Sequence, residues 1–82
     1  MLSTRGKNVL NFIVSDYIKE GNPVASSSIA SRHKLGVSSA TIRNEVADLE
    51  NYGYITRPYS SAGSIPLQKG YRAYIETIKK SR

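Results

Sequence analysis

The 82-residue sequence has no cysteine and no tryptophan, and only one histidine, one phenylalanine and one methionine. Without cysteine there is neither a disulfide scaffold nor a thiolate zinc site, and His33 alone leaves too few ligands for a histidine metal site or a catalytic dyad. The six glycines are dispersed and form no phosphate-binding loop, and no carboxylate pair can be placed in a cleft, so neither an enzyme nor a metal or cofactor is expected. Long apolar runs are also missing. The nearest candidate, VLNFIV, is interrupted by Asn11, followed by Asp16 and Glu20, and far shorter than a membrane span. With no small-residue cleavage site beside it, a signal peptide is not expected and a cytoplasmic protein away from the membrane is. Acidic residues are scarce as well, 6 against 12 Lys and Arg, for a formal net charge of +6. A small basic chain of this kind favours a polyanionic partner, and charge alone does not separate DNA from RNA or an acidic membrane. The length suits one domain with one modest core.

What is present centres on the stretch from Val37 to Tyr54, VSSATIRNEVADLENYGY. Ile42, Val46 and Leu49 recur at helical spacing as a buried stripe. The opposite face then carries Ala40, Arg43, Asn44, Ala47 and Asn51. Alanines let a helix approach another surface closely, and Arg and Asn can pair with guanine and adenine edges in the major groove. Glu45, Asp48 and Glu50 crowd the later turns, so the N-terminal half is the end expected to be presented to DNA.

Around this stretch the chain divides into four helices and a small hairpin. A first helix is predicted at Thr4–Glu20, capped by Ser3, with Val9, Leu10, Ile13, Val14, Tyr17 and Ile18 facing a core, and Gly21 and Pro23 ending it. A second, at 27–34, follows three candidate serine caps, Ser26, Ser27 and Ser28. Leu35-Gly36-Val37 forms a turn, Ser38 caps the recognition helix at 39–52, and Gly53 stops it. Helices joined by a glycine-containing turn make a helix-turn-helix unit. Residues 54–66 read as a wing, strand, turn-rich loop and returning strand, which must pack on the helices because two strands are too few to stand alone. A fourth helix at 67–80 places Tyr71, Tyr74, Ile75 and Ile78 on one stripe, with Gly70 weakening it slightly. The fold class is therefore mainly α with a small β-hairpin wing, a single winged helix-turn-helix of about four helices and two or three short strands.

The string Ser38-Ser39-Ala40-Thr41-Ile42-Arg43-Asn44-Glu45, followed by Ala47-Asp48-Leu49-Glu50, Gly53-Tyr54, Ser61-Ala62-Gly63, Ile65-Pro66 and Lys69-Gly70-Tyr71-Arg72, closely resembles the N-terminal domain of the HrcA family of heat-inducible transcription repressors. The resemblance implies a dimeric repressor that binds an inverted-repeat operator of chaperone genes, with chaperonin supporting its activity. It also implies that the helix like 39–52 enters the major groove and that the loop from Tyr59 to Ser64 is the wing. Family members carry a longer C-terminal part with a GAF-like domain and a dimerisation region. Three positions depart from the family pattern. Ser64 stands where the wing usually has arginine, Ala25-Ser26-Ser27 follows Val24 where Gly-Ser-Arg is common, and Tyr59 replaces a frequent histidine.

Candidate DNA-binding residues follow from both lines. Arg43 and Asn44 are the expected base readers, with Ala40 and Ala47 permitting close approach. Ser38, Ser39 and Thr41 are expected at the groove edge. Ser27 and Ser28 either cap the second helix or hold a phosphate at its start. Arg57, Lys69 and Arg72 are candidate backbone clamps, and Tyr59, Ser60, Ser61, Gly63 and Ser64 form the wing loop. The expected partner is double-stranded DNA, bound by a homodimer that is weak without DNA and pairs through the first and fourth helices. The alternative is a winged-helix module for protein interaction or for nucleic acid without sequence choice.

Overall fold

The computed structural model describes residues 2–59 and 63–80. Helix α1 (Thr4–Glu20) starts where the Ser3 hydroxyl accepts the Gly6 N–H at 3.0 Å, and ends where the Gly21 N–H returns to the Tyr17 carbonyl at 2.8 Å. Its Val9, Leu10, Ile13 and Val14 side chains are buried and form the middle of the molecule. Ile18, expected on the same stripe, is 59% exposed. It lies about 140° around the helix from Ile13, off the face that meets the other elements.

Helix α2 (Ser26–Arg32) and helix α3 (Ser39–Asn51) form the helix-turn-helix and pack on each other, and α3 also packs on α1. Their starts differ. Ser38 caps α3, its hydroxyl accepting the Thr41 N–H at 3.2 Å, whereas no side chain caps α2. The N-cap of α2 is Ala25, whose carbonyl already accepts the Ile29 N–H at 3.2 Å. All three serines therefore fall inside the first helical turn, and the expectation that one of them caps α2 is corrected. Helix α2 also stops earlier than expected, because His33 is pinned in an extended conformation (φ −119°). Its ring stacks on Phe12 with centroids 3.8 Å apart, and its Nε2 lies 3.1 Å from the Asp16 carboxylate, which is buried. Arg32, 3.8 Å from the same carboxylate and paired with Glu20, joins that cluster.

After α3, strands β1 (Ile55–Thr56) and β2 (Ile65–Pro66) pair antiparallel in the register Ile55 to Pro66 and Thr56 to Ile65. A one-residue bridge adds Val24: its N–H donates to the Ser64 carbonyl at 2.8 Å and its carbonyl accepts the Ser64 N–H at 2.9 Å. The wing root is thereby tied to the segment that enters α2. This contact requires glycine at position 63, where φ is +98° and a Cβ would lie 2.7 Å from the Val24 carbonyl carbon.

Helix α4 (Gln68–Lys80) lies across α1 and β2. The Tyr54 carbonyl accepts the Leu67 N–H at 3.0 Å, which brings the first turn of α4 so close that a Cβ on Gly70 would sit 2.3 Å from that same oxygen. Gly70 is thus a contact residue rather than a weak spot in the helix. Tyr71 and Tyr74 are half-buried against the core, but Ile75 and Ile78 remain 48% and 44% exposed. The apolar arc of α4 is wider than the surface α1 offers it, so the outer half of the expected core stripe faces outward.

Candidate nucleic-acid interface

Helix α3 turns Ile42, Val46 and Leu49 inward, which leaves Ser39, Ala40, Arg43, Asn44 and Ala47 exposed on the other side. Thr41 is half-buried, its hydroxyl 3.1 Å from that of Ser38, so those two side chains stabilise the first turn together. Arg43 and Asn44 make no side-chain hydrogen bond or ion pair with any described residue. They line a cleft of about 420 Å³ between α3 and the wing root, with Ala47 beside them, Ala25 and Ser26 at its end, and Arg57, Gly63 and Ser64 on the far wall. Among the described residues no carboxylate lines it.

The acidic residues of α3 are placed elsewhere. Glu45 lies 3.9 Å from Arg5, and with Asp48 it lines a smaller cleft against Leu2, Ser3 and Gly6 at the start of α1. Glu50 is half-buried and bonded to Arg57: its Oε1 accepts from Nε at 3.2 Å and lies 3.2 Å from Nη2. Glu45 is thus turned to a different side of the helix from Arg43, whereas Glu50, two turns further on along Arg43's own side, has its charge taken up by Arg57.

Several candidate residues fall in other places. Ser27 and Ser28 do not line the cleft; Ser26 does, although the sequence marks it only as one of three caps. Ser64, taken from sequence as part of the wing loop, is 1% exposed and belongs to the bridge with Val24. Tyr59 is 71% exposed in a bend three residues beyond β1, and Ser60 and Ser61 lie outside the described residues. Lys69 is exposed but already engaged within the fold: its Nζ donates to the Tyr52 carbonyl at 2.8 Å and sits 4.4 Å from the centre of the Tyr54 ring. Arg72 is exposed on α4, away from the cleft. Among the described residues there is no cluster of three or more His, Asp or Glu side chains fit for a metal ion, and no helix is long and apolar enough to cross a membrane.

The family model for the winged helix-turn-helix transcription repressor, HrcA DNA-binding, matches residues 1–80. The chain belongs to the HrcA family. The heat-inducible transcription repressor HrcA of Acetivibrio thermocellus is 53% identical over 79 residues, covering 96% of this chain and 22% of that protein. The HrcA of Pelotomaculum thermopropionicum is 54% identical over 79 residues, covering 96% of this chain and 23% of its own length. The chain thus spans less than a quarter of the curated relatives it matches. A crystal structure titled as that of a hypothetical protein superposes with a TM-score of 0.93 at 44% identity, covering 98% of this chain and 26% of the other. The HrcA resemblance and the winged-helix fold expected from the sequence agree with these matches. HrcA proteins are DNA-binding regulators and not enzymes, in keeping with the lack of catalytic motifs.

Proposed function

We propose that this chain is the sequence-specific, double-stranded DNA-binding part of a heat-responsive transcriptional repressor, reading an inverted-repeat operator of heat-shock and chaperone genes through the major groove. The observation that carries the reading is the pair Arg43 and Asn44, exposed on α3 at a cleft with no carboxylate among the described residues that line it, and making no side-chain hydrogen bond or ion pair with any described residue. Both side chains can form two hydrogen bonds to one base, worth about 1–3 kcal/mol of discrimination each. Ala40 and Ala47 on the same face leave room for the groove edges.

An inverted repeat calls for two copies related by a two-fold axis. The exposed Ile18, Ile75 and Ile78 support pairing through α1 and α4, weak in the absence of DNA. The HrcA relatives are heat-inducible transcription repressors, which supports heat-inducible repression here, while a place in the cytoplasm and on the nucleoid and support from chaperonin rest on family resemblance alone. Selection of binding sites from random duplexes at fixed salt tests specificity, symmetry and dimerisation together. The expected product is an inverted repeat on which Arg43→Ala loses most of its preference. An unselective pool bound equally by Arg43→Ala favours the alternative of a module without sequence choice.

A further inference from the structure

Among the described residues, the cleft between α3 and the wing root is lined by two guanidinium groups and no carboxylate, an arrangement that favours an anion between them. Arg43 comes from the helix that faces it. Arg57 comes from the residue after β1, and its position is fixed from behind by Glu50. The Nε and Nη2 edge of Arg57 is directed at one Glu50 oxygen, 3.2 Å from each nitrogen, while Nη1 has no partner among the described residues. A guanidinium carries five N–H donors in a rigid plane, so anchoring one edge aims the others. Both members are partly exposed, the side chains at 47% and 33%, so the pair adds little to folding and leaves the arginine accessible.

We propose that Glu50 is a positioning residue for DNA binding: it aims Arg57 so that the free edge of the guanidinium holds one backbone phosphate at this cleft. The proposal rests on the reading of this face as a double-stranded DNA interface. It also assigns an unexpected sign to Glu50. A carboxylate near DNA acts against binding through its charge, yet here its removal releases the cation that makes the contact.

The test measures dissociation constants of the full chain for a selected duplex and a scrambled duplex between 50 and 200 mM salt, with melting temperature followed alongside. Glu50→Gln is expected to weaken binding to both duplexes by about two- to fivefold, although it raises the net charge. Arg57→Ala is expected to weaken both alike and to lower the salt exponent by about 0.9, so that the ratio of affinities across that salt range shrinks about 3.5-fold. The double variant should bind no more weakly than Arg57→Ala. Arg57→Lys keeps the cation but not the fork, and is expected to retain the salt exponent while binding about as weakly as Glu50→Gln.

Tighter binding by Glu50→Gln, additive losses in the double variant, or full affinity in Arg57→Lys would overturn the positioning role. An unchanged salt exponent in Arg57→Ala would overturn the phosphate contact. If Arg57→Ala changes nothing while Arg43→Ala removes site preference, the DNA interface stands and this proposal fails. If Arg43→Ala also leaves every duplex bound as before, the interface itself is misplaced.

Discussion

The two ends of α3 carry similar side chains in opposite circumstances. At the front, Arg43 and Asn44 project from a helix held locally by the Ser38 cap, and their side chains make no hydrogen bond or ion pair with any described residue. At the back, the Tyr52 carbonyl accepts from Lys69, the Lys69 ammonium lies over the Tyr54 ring, and the Tyr54 carbonyl accepts from Leu67 against the bare Cα of Gly70. Polar groups at the back make hydrogen bonds within the fold, whereas the Arg43 and Asn44 side chains at the front make none with the described residues. A cation near a recognition helix is therefore informative only once its intramolecular partners are known. Arg43 and Lys69 look alike in the sequence, and the fold gives them different tasks.

The largest effect should come from closing the space at the back. Gly70→Ala places a methyl group 2.3 Å from the Tyr54 oxygen, a backbone atom that cannot turn aside. Helix propensity alone favours alanine by about 1 kcal/mol. Overpacking of this severity costs about 2–3 kcal/mol and has to push α4 off the end of α3. The net loss of about 1–2 kcal/mol should appear as a melting temperature lower by about 4–16 °C. A melting temperature at or above that of the unmodified chain would show that the seam is loose and that propensity decides. Arg43→Ala, the matching change at the front, should leave stability within about 0.5 kcal/mol while removing DNA discrimination.

Lys69 gives the next largest effect and bears most directly on the contrast. Lys69→Met keeps the aliphatic stem but loses the hydrogen bond to the Tyr52 carbonyl and the ammonium over Tyr54. Together these are worth about 1–2 kcal/mol. The salt exponent of DNA binding should stay unchanged, because a lysine used inside the fold releases no counterions. If instead stability is unaffected and the exponent falls by about 0.9, Lys69 belongs with the phosphate contacts and the two ends of α3 are less different than they look.

How far these roles were legible in the sequence follows from their range along the chain. The α1 core face, the Ile42, Val46 and Leu49 stripe, the turn at Gly36 and the Ser38 cap depend on neighbours within a few residues, and periodicity with cap chemistry finds them. The outward placement of Arg43 and Asn44 follows from the same stripe. Contacts that bridge distant segments were not legible. The Glu50 to Arg57 pair, the Val24 to Ser64 bridge that buries Ser64, and the Lys69 to Tyr52 contact depend on how elements dock. His33 is the sharpest case. A lone histidine gave only a negative inference about metals and catalysis, while the fold stacks it on Phe12, joins it to buried Asp16 and ends α2 there. The one local signal that misled was the serine triplet, because the bridge at Val24 starts α2 one residue before any serine could cap it.

The smallest effects separate those serines from the one that caps. Ser38→Ala removes the acceptor for the Thr41 N–H and should lower stability by about 1 kcal/mol, read as a melting temperature about 4–8 °C lower. The loss falls at the front of α3, so fraying there should also disturb Arg43 and weaken binding at the selected site more than at a scrambled one. Ser27→Ala removes an exposed hydroxyl that does not cap α2, and alanine is the better helix former. Its expected change is under about 0.5 kcal/mol and of either sign. If Ser27→Ala nonetheless weakens binding to every duplex without altering the melting temperature, that hydroxyl meets a phosphate. The start of α2 would then join the front of α3 as a surface kept for DNA.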